Sequence, residues 1–255
     1  MIVREHDQAY IMIEQDNHAH ISGELAAAWK DSLFIGHDRR KSVEYAVSNH
    51  DLGWKLLDQQ PFWNDQKNTP YTFIDFPTLP KTVFYKHGIE EVALHDTYAG
   101  LLCSRHYTRF LKNNELPAAQ AFVQQEEARQ HHMIEAAVQF DQENYDFHYA
   151  VLQFCDNISL YICLNDPGVT KQEEQSFFKK GLPVPASFHF FNQEKAKLNW
   201  QDEHTIQMQL FPFDKPVNLN VKQKVISKAA VSKNGLLKSY QSAPFEKRTV
   251  QLVRM

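Results

Sequence analysis

The segment S-N-H-D-L-G-W places His50 and Asp51 side by side at the end of a stretch with helical apolar spacing. Imidazole nitrogen and carboxylate oxygen together suit first-row divalent cations. Adjacent helical residues point about 100° apart, so both reach one ion only if it lies at the edge of that helix. The dipeptide alone is weak, because the chain also contains His37-Asp38 and His95-Asp96; the former falls in a polar linker and reads as solvated. A second imidazole must then come from an earlier helix. His18 extends the apolar stripe of Ile21, Leu25 and Ala28, whereas His20 shares its face with Gly23, Glu24 and Ala27, so His18 is preferred and His20 is the weaker candidate.

A carboxylate from a later helix completes such a set. Asp156 stands in V-L-Q-F-C-D-N-I-S-L-Y-I-C-L, a segment otherwise fit for burial on every side. A lone buried carboxylate costs several kcal/mol unless it is paired, hydrogen-bonded or bound to metal. Its alternative is a satisfied core aspartate. His106 lies on a stripe with Ala99, Leu102, Cys103 and Phe110, so it faces inward as a core histidine, a fifth ligand or a substrate contact. His95 is 11 residues earlier, about 16 Å away on one continuous helix, so both cannot bind one metal. Arg105 and Arg109 flank His106 and could hold a phosphate or carboxylate through their fork geometry, although a solvated helix face is the preferred reading of either one. His131-His132 sits in a charged helix surface, and His6, His87, His148, His189 and His204 lack stripe support, which makes them structural or exposed.

Positioning these groups requires helices. Helical spacing runs over about 18–34, 40–50, 90–111, 117–140 and 145–164, with Gly53 read as the left-handed residue ending the second. Between them, 58–86 holds Pro61, Pro70, Pro77 and Pro80 among aromatic residues and reads as an irregular packed loop, a pocket wall or lid. A hairpin opens the chain, and strand-like segments follow Pro183: 188–191, 206–211, 217–225 and 249–253. The expectation is a single domain over 1–255 that is mainly α. An all-helical body at about 18–182 would be flanked by β elements at about 1–15 and 184–255 that join in one small sheet.

Composition narrows the function classes. A charge of −4 without a basic block argues against nucleic acid. No window approaches the roughly 18 apolar residues of a membrane span, and the start of the sequence lacks a signal-peptide pattern, so a cytoplasmic protein is expected. Cys103, Cys155 and Cys163 read as buried thiols in a reducing compartment. Thirteen histidines among 255 residues mark where chemistry is to be sought.

The order His18, His50-Asp51, Asp156 resembles the HD-domain superfamily of metal-dependent phosphohydrolases, whose signature is H…HD…D. Over nearly the whole chain, Q-D-N-H-A-H-I-S-G-E-L-A from Gln15, N-H-D-L-G-W from Asn49, Y-A-G-L-L-C-S-R-H-Y from Tyr98 and L-F-P-F from Leu210 resemble a bacterial family of unknown function considered HD-like. The resemblance implies an HD-domain-like helical bundle with a divalent metal, matches the family's recurrent first histidine to His18, and matches a further one to His106. The leading expectation is hydrolysis of a small phosphate ester or nucleotide. His18, His50, Asp51 and Asp156 would hold Mn, Fe, Zn, Ni or Mg, Asp51 would orient the water, and His106 would protonate the leaving group or steady the phosphate. Mixed nitrogen and oxygen donors favour a transition metal. Two alternatives stay open: a di-iron oxygenase in which His106 with His95 or His20 completes a second site, and a non-catalytic ligand-binding protein. The partner is a small molecule, and a homodimer is compatible with the sequence.

Overall fold

A computed structural model describes residues 1–255. The chain opens with strands β1 (Ile2–Glu5) and β2 (Ala9–Ile13), followed by helices α1 (Gln15–Ala27), α2 (Arg40–Asn49) and the single turn α3 (Lys55–Asp58). A two-stranded ribbon, β3 (Trp63–Asn64) and β4 (Thr69–Pro70), precedes the long helices α4 (Thr78–His95), α5 (Thr97–Leu111), α6 (Pro117–Ala136) and α7 (Gln142–Leu164). After them come β5 (Leu182–Pro183), β6 (Lys195–Ala196), β7 (Leu198–Trp200), β8 (Thr205–Met208), β9 (Val217–Ser227), α8 (Lys228–Asn234), α9 (Leu236–Ser242) and β10 (Glu246–Arg254). No helix is long and apolar enough to cross a membrane.

The sheet corrects the mainly helical, all-α expectation: the fold is mixed α/β. Six strands run in the order β1-β2-β9-β10-β8-β7. The N-terminal hairpin joins the late strands as expected, through antiparallel pairing of Ala9 with Ser227 and Met12 with Lys224. This sheet is no appendage, because Leu219, Val221, Val250 and Leu252 share one apolar core with Phe154, Cys155 and Ile158 of α7. The pairing of β2 with β9 joins residues more than 200 positions apart, which local spacing does not reveal. In β9 burial alternates at Val217, Leu219 and Val221 and then changes parity after Gln223 to Lys224 and Ile226. There the opposite face is covered by α8 and α9, whose Leu236 and Tyr240 pack with Tyr10, Met12 and Ile226 in a second, smaller core. Those two helices and β7 were not legible from spacing. The segment 188–191 is a turn rather than a strand, in which Phe188 is buried against Trp29, Phe147 and Phe154.

Helix boundaries also differ. α4 begins inside the proline-rich stretch, since Pro80 falls in its first turn, where a missing N–H breaks no helical bond. Asp96 divides the expected 90–111 helix in two: its extended backbone ends α4, and its side chain accepts from the Ala99 N–H to cap α5 at 2.9 Å. His95 and His106 therefore lie on different helices, and the 16 Å separation argued for one helix does not apply. Asp96→Ala should lower stability by about 1 kcal/mol. On a chain this long that is a fall of roughly 2–4 °C in melting temperature, readable by thermal unfolding, and an unchanged melting temperature would show the cap to be idle.

Candidate metal centre

The centre lies where α1, α2, α5 and α7 converge. α1 brings His18 and, one turn earlier on the same face, Gln15. The helix has no capping side chain of its own, and Asp58 of α3 instead accepts its first free N–H, from Gln15, at 2.5 Å. α2 ends at Asn49, with His50 still helical and Asp51 at φ −112°, ψ 19° in the entry to a tight turn at Leu52–Trp54. The departure from helical geometry at Asp51 turns adjacent side chains, normally about 100° apart, toward one point. α7 supplies Asp156 and, three residues on, Ser159.

His18, His50, Asp51 and Asp156 are all buried. His18 Nε2 lies 3.1 Å from Asp156 Oδ1 and 3.7 Å from Asp51 Oδ2, while His50 Nε2 lies 3.6 Å and 3.8 Å from the same two atoms. The two Nε2 atoms are 3.3 Å apart. Ions with metal–donor bonds of about 2.0–2.2 Å place neighbouring ligand atoms about 3–3.5 Å apart; the 3.1 and 3.3 Å separations lie within that range, and those of 3.6, 3.7 and 3.8 Å lie a few tenths of an ångström outside it.

Hydrogen bonding fixes which nitrogens face inward. Ser159 gives its single hydroxyl proton to the His18 carbonyl at 2.7 Å, so its oxygen accepts from His18 Nδ1–H at 2.6 Å. His50 Nδ1–H donates to the Val47 carbonyl at 2.7 Å. Each neutral ring then carries its lone pair on Nε2, and the two lone pairs point at one another across 3.3 Å. Only a positive charge reconciles them. Burial opposes charge on His50, but Asp51 and Asp156 prevail and push its pKa up to about 9. Burial works against charge on Asp156 too, yet the two imidazoles hold its carboxyl well below the usual range. Asp51, which accepts from Gln15 Nε2 at 2.9 Å, is pushed up, chiefly by burial. Donor chemistry, separations and tautomers thus fit a divalent cation.

Ser159→Ala would free His18 to rotate and to change tautomer. Outer partners of this kind carry about 10–100-fold in metal affinity, so a Mn²⁺ titration of this variant should shift by that factor with the far-ultraviolet dichroism unchanged. Wild-type affinity would refute the assigned role.

His106 of α5 adjoins this set: it, His50 and Asp156 present ligand atoms within 4.8 Å of one another. Burial, helped by the neighbouring charge on His50, pushes its pKa well below the ordinary value, and its Nδ1 is buried without a partner. Arg109 borders the same cavity, but Arg105 does not; its guanidinium is held by Asp146 at 2.7 Å and lies over Tyr149 and Tyr145. His20 is half-exposed with Nδ1 against the Asp16 carbonyl, and His95 is exposed at the end of α4, so neither joins the cluster. His37 is exposed as expected, and His148 is structural, donating to the Ile35 carbonyl and accepting from Tyr98. The three cysteines are buried and free, as expected.

A cavity of about 460 Å³ opens above the cluster. Its floor holds His18, Asp51, Asp156 and His106, and its walls include Trp54 and, from the 58–86 region, Phe73 and Tyr85, as anticipated for a pocket wall. Gln15, Ser159 and Lys81 were missed in the sequence. The first two had a signal, since Gln15 precedes His18 by three residues and Ser159 follows Asp156 by three, each on its ligand's own helix face.

No curated protein and no solved structure matches the chain. A family model described as "Protein of unknown function (DUF3891)" matches residues 1–228, a span containing every residue of the centre. The chain therefore belongs to the DUF3891 family.

Proposed function

We propose that this protein is a metal-dependent hydrolase of small phosphate monoesters. The observation that carries the reading is the convergence of two imidazole Nε2 atoms and two carboxylates beside an accessible cavity. A catalytic metal site keeps a face open to water and substrate, whereas a structural site is closed by protein ligands. The H…HD…D order, carried on α1, the end of α2 and α7, supports an HD-like assignment of the centre. A divalent cation held there would supply Lewis acidity toward a phosphoryl oxygen and acidify a bound water.

His18, His50, Asp51 and Asp156 hold the cation in this reading. Asp51 has a second carboxylate oxygen beyond the one bonded to Gln15, suited to orienting the attacking water. His106, kept neutral, offers a hydrogen bond to the phosphoryl group, a better match to its depressed pKa than protonation of the leaving group. Lys81 and Arg109 meet the remaining negative charge. The di-iron alternative needs His20 or His95 beside His106, and neither is there.

A panel of phosphomonoesters and nucleotides with Mn²⁺ tests the reading: turnover of at least one phosphomonoester, abolished by chelation, is expected. Two irons per chain with substrate-dependent oxygen uptake would replace hydrolysis with oxygenation. Metal-free protein whose melting temperature and ligand binding are unmoved by His50→Ala would leave a non-catalytic binder. Burial brings the Lys81 ammonium down to about 8, against the opposing pull of Asp75. Lysine is charged below its pKa, so KM for the phosphomonoester should rise as pH passes upward through about 8, and Lys81→Arg should remove that rise. A rise retained in Lys81→Arg would assign it to another group.

A further inference from the structure

Above its ionic floor the cavity is apolar. Phe73, Leu160 and Leu164 form wall, while Ile74, Phe110 and Phe177 line it and remain 54%, 46% and 63% exposed. Three large apolar side chains at one mouth form the kind of exposed patch that marks a binding surface. Two cations border the same space. Lys81 donates to the Ile74 carbonyl at 3.2 Å and lies over Trp54, Arg109 lies over Phe110, and neither is neutralised by a carboxylate partner. A sugar or nucleobase needs several matched donors and acceptors, and each one left unpaired costs affinity. Beyond the charged groups, the polar side chains among its lining are few: Gln15, whose Nε2 is committed to Asp51 and whose Oε1 has no partner, the Asn157 carboxamide, the Tyr85 hydroxyl and the Trp54 indole.

We propose that the substrate is an amphiphile, a single-chain alkyl or aryl phosphomonoester whose phosphate sits at the floor and whose tail lies along Phe177, Phe110 and Ile74. The proposal rests on the phosphate reading for its polar end and adds the identity of the other end. Charge complementarity selects the head: two unpaired cations and a cation-demanding centre accept a dianion. Apolar area selects the tail, because each methylene removed from water strengthens binding by a nearly constant factor.

The test is calorimetric titration of the Mn²⁺-supplied protein with methyl-, butyl- and octylphosphonate, whose carbon–phosphorus bond resists hydrolysis. Affinity should rise roughly three- to fourfold per methylene from methyl to butyl. Phe177→Ser, an exposed substitution outside the metal cluster, should flatten that rise while leaving methylphosphonate affinity unchanged. Arg109→Gln should weaken all three by a similar factor. Equal affinity along the series, no binding of any member, or tighter binding of a nucleoside monophosphate would overturn the proposal. So would a concentration-dependent dimer abolished by Phe177→Ser, which would assign the apolar mouth to a second copy of the chain. A chain-length dependence without turnover of any phosphomonoester would sustain the amphiphile as the bound ligand and refute hydrolysis. Turnover confined to sugar phosphates or nucleotides would do the reverse.

Discussion

Asp156→Ala is expected to purify without stoichiometric metal and to lose at least about a hundredfold in phosphomonoester turnover. Outer-sphere partners of metal ligands carry about 10–100-fold, and Asp156 stands in the inner set, 3.1 Å from one imidazole and 3.6 Å from the other. Its removal leaves Asp51 as the sole carboxylate beside two rings. Asp156→Asn is the informative companion, because it keeps the shape and one neutral oxygen while discarding the charge. If charge is what the centre requires, the asparagine variant loses metal nearly as completely as the alanine one. Elemental analysis of both proteins decides it, and full occupancy in either would remove Asp156 from the ligand set.

The second large effect is expected at a residue that has no side chain to offer the cluster. Gly53 and Gly88 meet where the turn after α2 crosses α4, and a Cβ on Gly53 would stand 2.3 Å from the Phe84 carbonyl oxygen. That neighbour is backbone and cannot rotate away. Overpacking costs about 1–3 kcal/mol and more where backbone must move, so Gly53→Ala should lower the melting temperature by roughly 6–12 °C. Gly53 follows Asp51 by two residues, so displacement of this crossing also moves a ligand, and Mn²⁺ affinity should fall with stability. A variant with wild-type stability would show the crossing to be slack. Gly53 was read in the sequence as a left-handed helix terminator. Its backbone is not left-handed, and the demand on it is proximity, which depends on a helix thirty residues away.

That misreading shows where local inference stops. The choice of His18 over His20 followed from one helix face, and the structure buries the first and half-exposes the second. Asp156 was conspicuous because a carboxylate in an apolar helix needs a partner wherever it lands. Arg105 was not resolvable in this way: its neighbours in sequence match those of Arg109, and the difference lies in Asp146 and Tyr149 of another helix. The underestimated sheet has the same origin. Alternation marked β9 and β10 as strands, but their share in the main core depends on register with β8 and packing on α7. Likewise, periodicity ran through Asp96 because the break there is made by a cap and an extended backbone rather than by proline or glycine.

The place of β10 in the sheet bears on how this chain reaches its fold. It is inserted between β9, to which it is antiparallel, and β8, to which it is parallel. Until residues 246–254 arrive, β8 and β9 each present an unpaired edge on either side of a gap. Bare edges recruit other chains. Assembly of the His/Asp cluster, built from helices completed by Leu164, can run ahead of sheet closure. In the interval between these two events the edges of β8 and β9 are open to pairing with another chain.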